Sequence, residues 1–114
     1  MKDVSLIVYP AADLDKAKRF FRELIGTDPY VDSPYYVGYK NGEMEIGLDP
    51  NGGQYGPGAI PFWTVSDIAA SVKGLEAAGA SVVQQVTDVG YGMLVARIKD
   101  PSGALVGLRQ PPEG

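Results

Sequence analysis

Two glutamates at positions 43 and 45 are the side chains of this chain whose type and spacing could support acid–base chemistry. Glu43 and Glu45 fall in a β-like segment, and residues two apart on a strand point to the same face. Glu45 lies nearer the centre of the segment, so we expect it to act as the general acid or base of any reaction in the cleft. The alternative, a solvated strand face, stays open for both residues.

Two arginines could bind an anionic ligand. The guanidinium groups of Arg97 and Arg109 would present forked donors to a carboxylate or a phosphate. The alternative is that both are exposed residues on the outer part of a strand. Trp63 is expected in the core rather than against a ligand. The side chains that could stack on a planar ligand are Phe62, Tyr91, Met93, Tyr36, Tyr39 and Tyr55.

The chain contains no histidine and no cysteine, and this absence excludes several classes of function. It removes Ser-His-Asp and Cys-His nucleophilic systems, imidazole-ligated metal sites and disulfides. An all-oxygen site for Mg²⁺ or Ca²⁺ would need several carboxylates that converge on one point. That alternative stays open at this point, and we expect no other cofactor.

The composition is that of a globular chain of 114 residues, with 45% hydrophobic residues and a net charge of −4. Because the lysines and arginines are dispersed rather than gathered in a basic stripe, we expect no nucleic-acid partner. No apolar stretch approaches the roughly 20 residues of a membrane-spanning helix, and the first residues lack the pattern of a secretory signal. We expect a cytoplasmic location and no membrane partner.

The first half of the sequence predicts a strand, a helix and a hairpin. A β-like run at residues 4–9 precedes Asp13, the expected N-cap of a helix that ends at Gly26. Two further strands follow at residues 35–40 and 43–48. They are joined by Asn41-Gly42, which is a strong hairpin signal.

The second half repeats this plan after a glycine- and proline-rich linker. We assign residues 1–50 to module 1, 51–58 to the linker and 59–114 to module 2 of a single domain. The order is βαβββ twice, and the predicted fold class is α+β. In module 2 we predict a strand at 60–65, a helix between Asp67 and Gly79, and strands at 81–87, 92–99 and 104–109.

Alternation along the strands predicts which side chains line a ligand cleft. Met44, Ile46 and Leu48 should face a helix, so the alternate residues of the strand should lie on the concave side. Gly47 and Gly107 would leave room there for a small molecule. The residues expected to contact the ligand are Leu6, Val8, Glu45, Gly47, Ile60, Phe62, Thr64, Met93, Arg97, Gly107 and Arg109.

Five groups of residues occur along the chain in the order and spacing of one protein superfamily. They are Asp13-Leu14 with Ala17, Phe20-Phe21 and Leu24-Ile25-Gly26; Glu45-Ile46-Gly47-Leu48; Val65-Ser66-Asp67-Ile68; Ala78-Gly79-Ala80; and Asp100-Pro101-Ser102-Gly103. The chain thereby resembles the vicinal oxygen chelate superfamily, which includes glyoxalase I, extradiol dioxygenases and bleomycin resistance proteins. The resemblance implies a half-barrel sheet with helices on its outer face, and a homodimer.

In metal-dependent members of this superfamily, histidine or glutamate ligands come from the first and the last strand of each module. Alignment on the five motifs places Leu6, Gly47, Ile60 and Gly107 at those positions. None of these side chains can ligate a metal. The resemblance therefore implies a metal-free member.

Two classes of function follow from the resemblance. The first is a protein that binds a small aromatic or cationic molecule in its cleft, as bleomycin resistance proteins do. The second is a metal-independent enzyme of the isomerase or lyase type with Glu45 as general acid or base. A third possibility is a homologue that acts only through association with another protein.

Overall fold

The computed structural model describes residues 3–112, which form two compact units. The first unit comprises Ser5–Ile60, and the second comprises the residues from Pro61 onward together with residues 3 and 4. Each unit contains one helix and four strands. The predicted ends of the domain, residues 1 and 114, lie outside the described residues.

The first unit is a four-stranded sheet with one helix. Strand order is β2, β3, β4, β1, with β1 parallel to β4 and the other pairs antiparallel. A single turn of 3-10 helix, Gly52–Tyr55, lies within the predicted linker. The elements are β1 (Asp3–Pro10), α1 (Leu14–Ile25), β2 (Val31–Asp32), β3 (Val37–Asn41) and β4 (Met44–Asp49).

Helix α1 begins and ends where the sequence predicts. The Asp13 carboxylate accepts a hydrogen bond from the backbone N–H of Lys16 at 3.1 Å, which satisfies one of the unpaired N–H groups at the helix start. Gly26 ends the helix with a φ of 90° and donates its N–H to the carbonyl of Arg22. This left-handed conformation favours glycine because it has no Cβ.

The helix packs its apolar stripe on one face of the first sheet. Ile46 and Leu48 are buried there and Met44 packs beside them, which confirms the predicted alternation on β4. Burial raises the pKa of the Tyr39 hydroxyl, and the nearby Asp32 carboxylate raises it further. The buried residues of this core are Ala11, Phe21, Val37, Tyr39, Ile46 and Leu48.

The second unit repeats the arrangement. Strand order is β5, β8, β7, β6, with β5 parallel to β8 and the other pairs antiparallel. Asp67 caps the helix by accepting from the N–H of Ala70 at 3.0 Å. The elements are β5 (Ile60–Thr64), α2 (Ile68–Ala77), β6 (Ser81–Asp88), β7 (Leu94–Lys99) and β8 (Leu105–Gln110).

The core of the second unit lies between α2 and its sheet. Leu108 is buried against the helix, and Val106 lines a small apolar groove beside it with Trp63, as the alternation of β8 predicts. Trp63 lies on the helix side of the sheet but is 37% exposed, so the expectation that it belongs to the core is wrong. The buried residues of this core are Val65, Ile68, Val72, Ala96, Ile98 and Leu108.

The turn before β8 is organised by Asp100. Its carboxylate accepts from the N–H of Ser102 at 2.9 Å, from the Ser102 hydroxyl at 2.9 Å and from the N–H of Ala104 at 2.8 Å. These hydrogen bonds, led by the one from Ala104, lower the pKa of Asp100. The predicted turn at residues 100–103 is confirmed.

The predicted order of βαβββ twice is confirmed, with differences at the ends of several strands. β3 begins at Val37 rather than residue 35, and β4 begins at Met44, so Glu43 lies in the turn before β4 rather than on the strand with Glu45 that the sequence predicts.

The βαβββ order includes a third strand after α1 whose position was not predicted; in the structure it is the short strand β2. Strand β7 begins at Leu94 rather than residue 92, because Gly90, Tyr91 and Gly92 all have positive φ and form a tight turn. Among the described residues, neither helix has the length and apolar character needed to cross a membrane.

Candidate functional site

The face of the first sheet opposite α1 carries the candidate carboxylate. Glu45 is paired with Lys40 on the neighbouring strand, and Gly47 is paired with Gly38. Residues directly opposite each other on paired strands share a face. Two glycines and one glutamate therefore form the floor of this surface.

Two tyrosine rings cover the glycines of that floor. A Cβ atom built on Gly38 would lie 3.2 Å from Cε1 of Tyr30 and 3.3 Å from Cε2 of Tyr36. A Cβ atom on Gly47 would overlap the hydroxyl and ring of Tyr36. The expectation that Gly47 leaves open room is therefore wrong, because an aromatic side chain of the same unit already fills the space.

Tyr30 also contacts the carboxylate. Its hydroxyl donates a hydrogen bond to Oε1 of Glu45, and the ammonium group of Lys40 lies 4.9 Å from the centroid of its ring. The Tyr30 side chain is half-exposed. We call the surface formed by Tyr30, Tyr36, Lys40 and Glu45 the glutamate face.

The segment that carries both tyrosines is held by backbone hydrogen bonds. The N–H of Tyr30 donates to the carbonyl of Gly38 at 2.9 Å, and the N–H of Ser33 donates to the carbonyl of Tyr36 at 3.1 Å. The Ser33 hydroxyl oxygen accepts from the N–H groups of Tyr35 and Tyr36. The rings therefore project from an ordered turn rather than from a free loop.

On β1, Leu6 is paired with Glu45 and Val8 with Gly47, so both share the floor of this surface. Both side chains are buried. Leu6, Val8, Glu45 and Gly47 therefore lie on one face of the first unit, as the alternation predicted.

The corresponding face of the second sheet carries the arginines. Arg97 is only 6% exposed; its Nη1 donates to Oε1 of Gln84 at 2.5 Å, and its guanidinium carbon lies 5.1 Å from the Phe62 ring centroid. Arg109 donates from Nε to the hydroxyl oxygen of Thr64 at 3.4 Å. We call the surface formed by Phe62, Thr64, Arg97 and Arg109 the arginine face.

Gly107 lies in the floor of the arginine face, paired with Phe62 on one side and Arg97 on the other. A Cβ atom built on it would overlap the ring of Phe62. The expectation of open room is therefore wrong here as well. Ile60 begins β5 and is buried.

The remaining candidates lie elsewhere. Met93 lies in the turn before β7, where its N–H donates to the carbonyl of Gly90 at 3.0 Å. Tyr39 belongs to the core under α1, Tyr55 to the 3-10 turn, and Tyr91 is fully exposed. Contact of any predicted site residue with a ligand stays a prediction.

Sequence reasoning missed three residues of these faces: Tyr30, Lys40 and Gln84. Lys40 and Gln84 could have been found, because each is paired with a predicted site residue, Glu45 or Arg97. Tyr30 lies outside the strands, where alternation has no meaning.

The residues present do not fit the divalent metal of metal-dependent relatives. The four expected ligand positions hold Leu6, Gly47, Ile60 and Gly107, which offer no side-chain donor atom. Aromatic rings fill the space beside the two glycines. Within residues 3–112, no group of three or more acidic side chains is placed to hold an ion.

Comparison with known proteins identifies the family. The family model described as "Glyoxalase/Bleomycin resistance protein/Dioxygenase superfamily" matches residues 4–108. Curated proteins named "Putative glyoxylase CFP32" from Mycobacterium bovis and Mycobacterium tuberculosis are 31% identical over 86% of the chain. The alignment spans only 41% of their own length.

Solved structures share the fold at low sequence identity. A hypothetical protein from Bacillus halodurans aligns with a TM-score of 0.78 at 14% identity, covering 99% of this chain and 96% of that one. Methylmalonyl-CoA epimerase from Mycobacterium tuberculosis aligns with a TM-score of 0.70 at 18% identity, covering 96% and 87% of the two chains. Because the family model matches residues 4–108, the chain belongs to the glyoxalase/bleomycin resistance protein/dioxygenase superfamily.

Proposed function

We propose that this chain is a binding member of its family, which holds a small planar or cationic molecule on the glutamate face without a metal ion. The observation that supports this most is the combination of two tyrosine rings and a carboxylate on one surface: Tyr30 and Tyr36 over Gly38, and Glu45 beside them. Aromatic rings give a rigid contact for a planar ligand at low entropic cost.

A positively charged group suits this surface for two reasons. The face of an aromatic ring attracts cations; the Lys40 ammonium group lies over Tyr30, so a cationic ligand at the same position would have to displace it. The Glu45 carboxylate adds an opposite charge, and the net charge of the chain is −4. A ligand of this kind would combine a flat ring with a cationic substituent.

A second candidate function is catalysis by Glu45. The hydrogen bond from the Tyr30 hydroxyl favours it, because such a bond fixes the orientation of a carboxylate and a general acid or base must be positioned before it can transfer a proton. On this alternative the chain is a metal-independent isomerase or lyase. Membership of the family does not by itself decide between binding and catalysis.

The test is a thermal-shift screen of small molecules, followed by two matched variants. A ligand at about 100 times its Kd adds about 2.7 kcal/mol to the free energy of unfolding. Glu45→Gln should weaken a cationic hit, whereas Glu43→Gln, an exposed control two residues away, should not. If the protein also converts the bound compound to a product, and Glu45→Gln abolishes this turnover but keeps binding, then catalysis by Glu45 is the correct function. If no compound binds saturably, both are wrong.

The absence of a metal is part of the same proposal and has its own test. The melting temperature should not change on treatment with a chelator, and elemental analysis should find no stoichiometric ion. One tightly held ion per chain would contradict it. The single domain, the homodimer and the cytoplasmic location stay predictions; sedimentation at micromolar concentration would test the dimer.

A further inference from the structure

Two opposite charges lie side by side on the glutamate face. Lys40 of β3 and Glu45 of β4 are directly opposite each other in the antiparallel register. Their side chains therefore leave the sheet on the same face, with Cβ atoms about 4.5–5.5 Å apart. Lys40 is exposed and Glu45 is partly exposed, so both charges belong to the surface that a small molecule meets.

Tyr30 contacts the two charges at different points of its side chain. The Lys40 ammonium lies 4.9 Å from the centroid of the ring, and the Tyr30 hydroxyl donates to Oε1 of Glu45. The backbone N–H of Tyr30 donates to the carbonyl of Gly38 on β3. Tyr30 therefore orients both charges from an anchored backbone, which lowers the entropy lost when a ligand binds.

The aromatic part of the glutamate face lies next to this pair of charges. Gly38 and Gly47 are opposite each other two residues along the same strands, which places them on the same face about 7 Å away. The Tyr36 ring covers Gly47, and the rings of Tyr30 and Tyr36 both lie beside Gly38. A ligand whose own ring contacts these tyrosines can therefore reach the charged pair with a short substituent.

A ligand with a single charge fits the pair poorly. An ammonium group beside Glu45 brings a like charge close to Lys40, and a carboxylate beside Lys40 brings a like charge close to Glu45. Like charges at short range oppose binding, and opposite charges favour it. A molecule with both groups places each of them beside its opposite, and it does so without displacing Lys40 from the Tyr30 ring.

We propose that Lys40 binds a carboxylate of the ligand, so that the glutamate face takes an aromatic zwitterion, a ring with both an ammonium and a carboxylate group on a short side chain. The ammonium lies beside Glu45 and the carboxylate beside Lys40. This inference rests on the function proposed above, and it adds the chemical class of the ligand.

Three related compounds separate the contributions of the two charges. Free phenylalanine carries both charges, phenethylamine carries only the ammonium, and 3-phenylpropionate carries only the carboxylate. Each compound is titrated into the whole chain at low ionic strength and followed through the backbone amide NMR shifts of residues 38–40 and 45–47. We expect phenylalanine to bind saturably and at least about threefold tighter than either of the others, which is the scale of one exposed ion pair.

The outcomes distinguish this inference from the proposed function. Saturable binding of phenethylamine, with phenylalanine binding no tighter, would overturn the zwitterion and leave the proposed function intact. Phenylalanine shifts confined to other residues would overturn the inference as well. Absence of any binding by phenylalanine would also overturn it, whether or not phenethylamine binds.

The variant Lys40→Met should change the binding of the two amines in opposite directions. It removes the partner of the carboxylate, so phenylalanine should bind at least about threefold more weakly. It also removes the cation that lies over the Tyr30 ring, so phenethylamine should bind more tightly. Lys40→Arg keeps the positive charge and should retain the preference for phenylalanine.

A matched control separates a local contact from a general charge effect. Lys16 is an exposed cation on α1, which packs on the other face of the same sheet, so Lys16→Met should change the binding of neither compound. Equal effects of Lys40→Met and Lys16→Met would overturn the assignment of Lys40. A change of the same sign for phenylalanine and phenethylamine in Lys40→Met would overturn it too.

Discussion

Gly47 of the first unit and Gly107 of the second occupy equivalent places, since each lies on the strand that runs parallel to the first strand of its module. Their partners on that first strand differ: Val8 is paired with Gly47 and Phe62 with Gly107. Phe62 is large enough to cover its own glycine, whereas Gly47 is covered by Tyr36 from the segment before β3. The space over the glycine is therefore filled by different residues in the two units.

The charges at equivalent places differ as well. The residue paired with the glycine on the next strand is Gly38 in the first unit and Arg97 in the second. Two residues beyond the glycine, the first unit has Asp49 and the second has Arg109. Repetition of the backbone plan has therefore been accompanied by divergence of the two faces: one carries Glu45 and Lys40 beside two tyrosine rings, and the other carries two arginines.

The largest effect should come from the ring that covers Gly107. Phe62 is 2% exposed, so Phe62→Ala should lower the free energy of unfolding by about 3–5 kcal/mol. Tyr36 is only partly buried, so Tyr36→Ala should cost about 1–2 kcal/mol. Denaturant unfolding measures both values. Equal losses of stability would show that the two rings contribute equally to packing, which would contradict the difference between the two units.

A methyl group on each glycine should give the next largest effect. Gly107→Ala should cost about 2–3 kcal/mol, because the buried Phe62 ring has little space to move, and Gly47→Ala about 1 kcal/mol, because Tyr36 can shift towards solvent. The same unfolding experiment applies. A larger loss of stability for Gly47→Ala than for Gly107→Ala would show that the Tyr36 ring moves less easily than the Phe62 ring, which would contradict this account.

The helix caps should behave alike in the two units. Asp13→Ala and Asp67→Ala should each cost about 1 kcal/mol, because each removes the acceptor for a backbone N–H at a helix start. At α2 the Gln110 side chain accepts from the N–H of Ile68 at 2.8 Å, so combining Asp67→Ala with Gln110→Ala should cost more. Glu76→Ala, on the exposed side of α2, is the control and should change stability by less than about 0.5 kcal/mol.

The smallest expected effects are changes of stability with pH, one at acid pH and one at alkaline pH. The pKa of Asp100 is lowered in the folded protein, so its contribution to stability is present above its unfolded pKa and is lost as pH falls. The pKa of Tyr39 is raised, so its contribution is present below the unfolded value and is lost as pH rises through the folded pKa.

Variants assign these two dependences to their residues. Unfolding measured across the pH range should lose part of its acid dependence in Asp100→Asn and part of its alkaline dependence in Tyr39→Phe. An acid dependence unchanged by Asp100→Asn, or an alkaline one unchanged by Tyr39→Phe, would contradict that assignment.

Much of the fold could be predicted because its signals are local. The two caps, Asp13 and Asp67, and the Asn41-Gly42 turn depend on neighbouring residues, and alternation along β4 identified the helix-facing side chains correctly. The position of the two-residue strand β2 was missed, because its extended pairing depends on β3 rather than on a pattern of its own.

The candidate faces were harder to predict, for a physical reason. Tyr30 and Tyr36 lie outside the regular strands, so alternation does not set their directions. Tyr36 is held by the turn around Ser33, and Tyr30 by the hydrogen bond from its N–H to the carbonyl of Gly38. The burial of Arg97 also runs against the usual exposure of arginine. Residues whose positions depend on tertiary packing leave no periodic signal in the sequence.

The most direct test of the central claim is to locate a bound cationic aromatic molecule. Benzyltrimethylammonium, which joins a planar ring to a fixed positive charge, should shift the backbone amide NMR signals of residues 36–40 and 45–47 saturably. Glu45→Gln should weaken its binding, and Glu43→Gln should not. Shifts confined to other residues, or equal weakening by both variants, would contradict the assignment of the glutamate face as the ligand site.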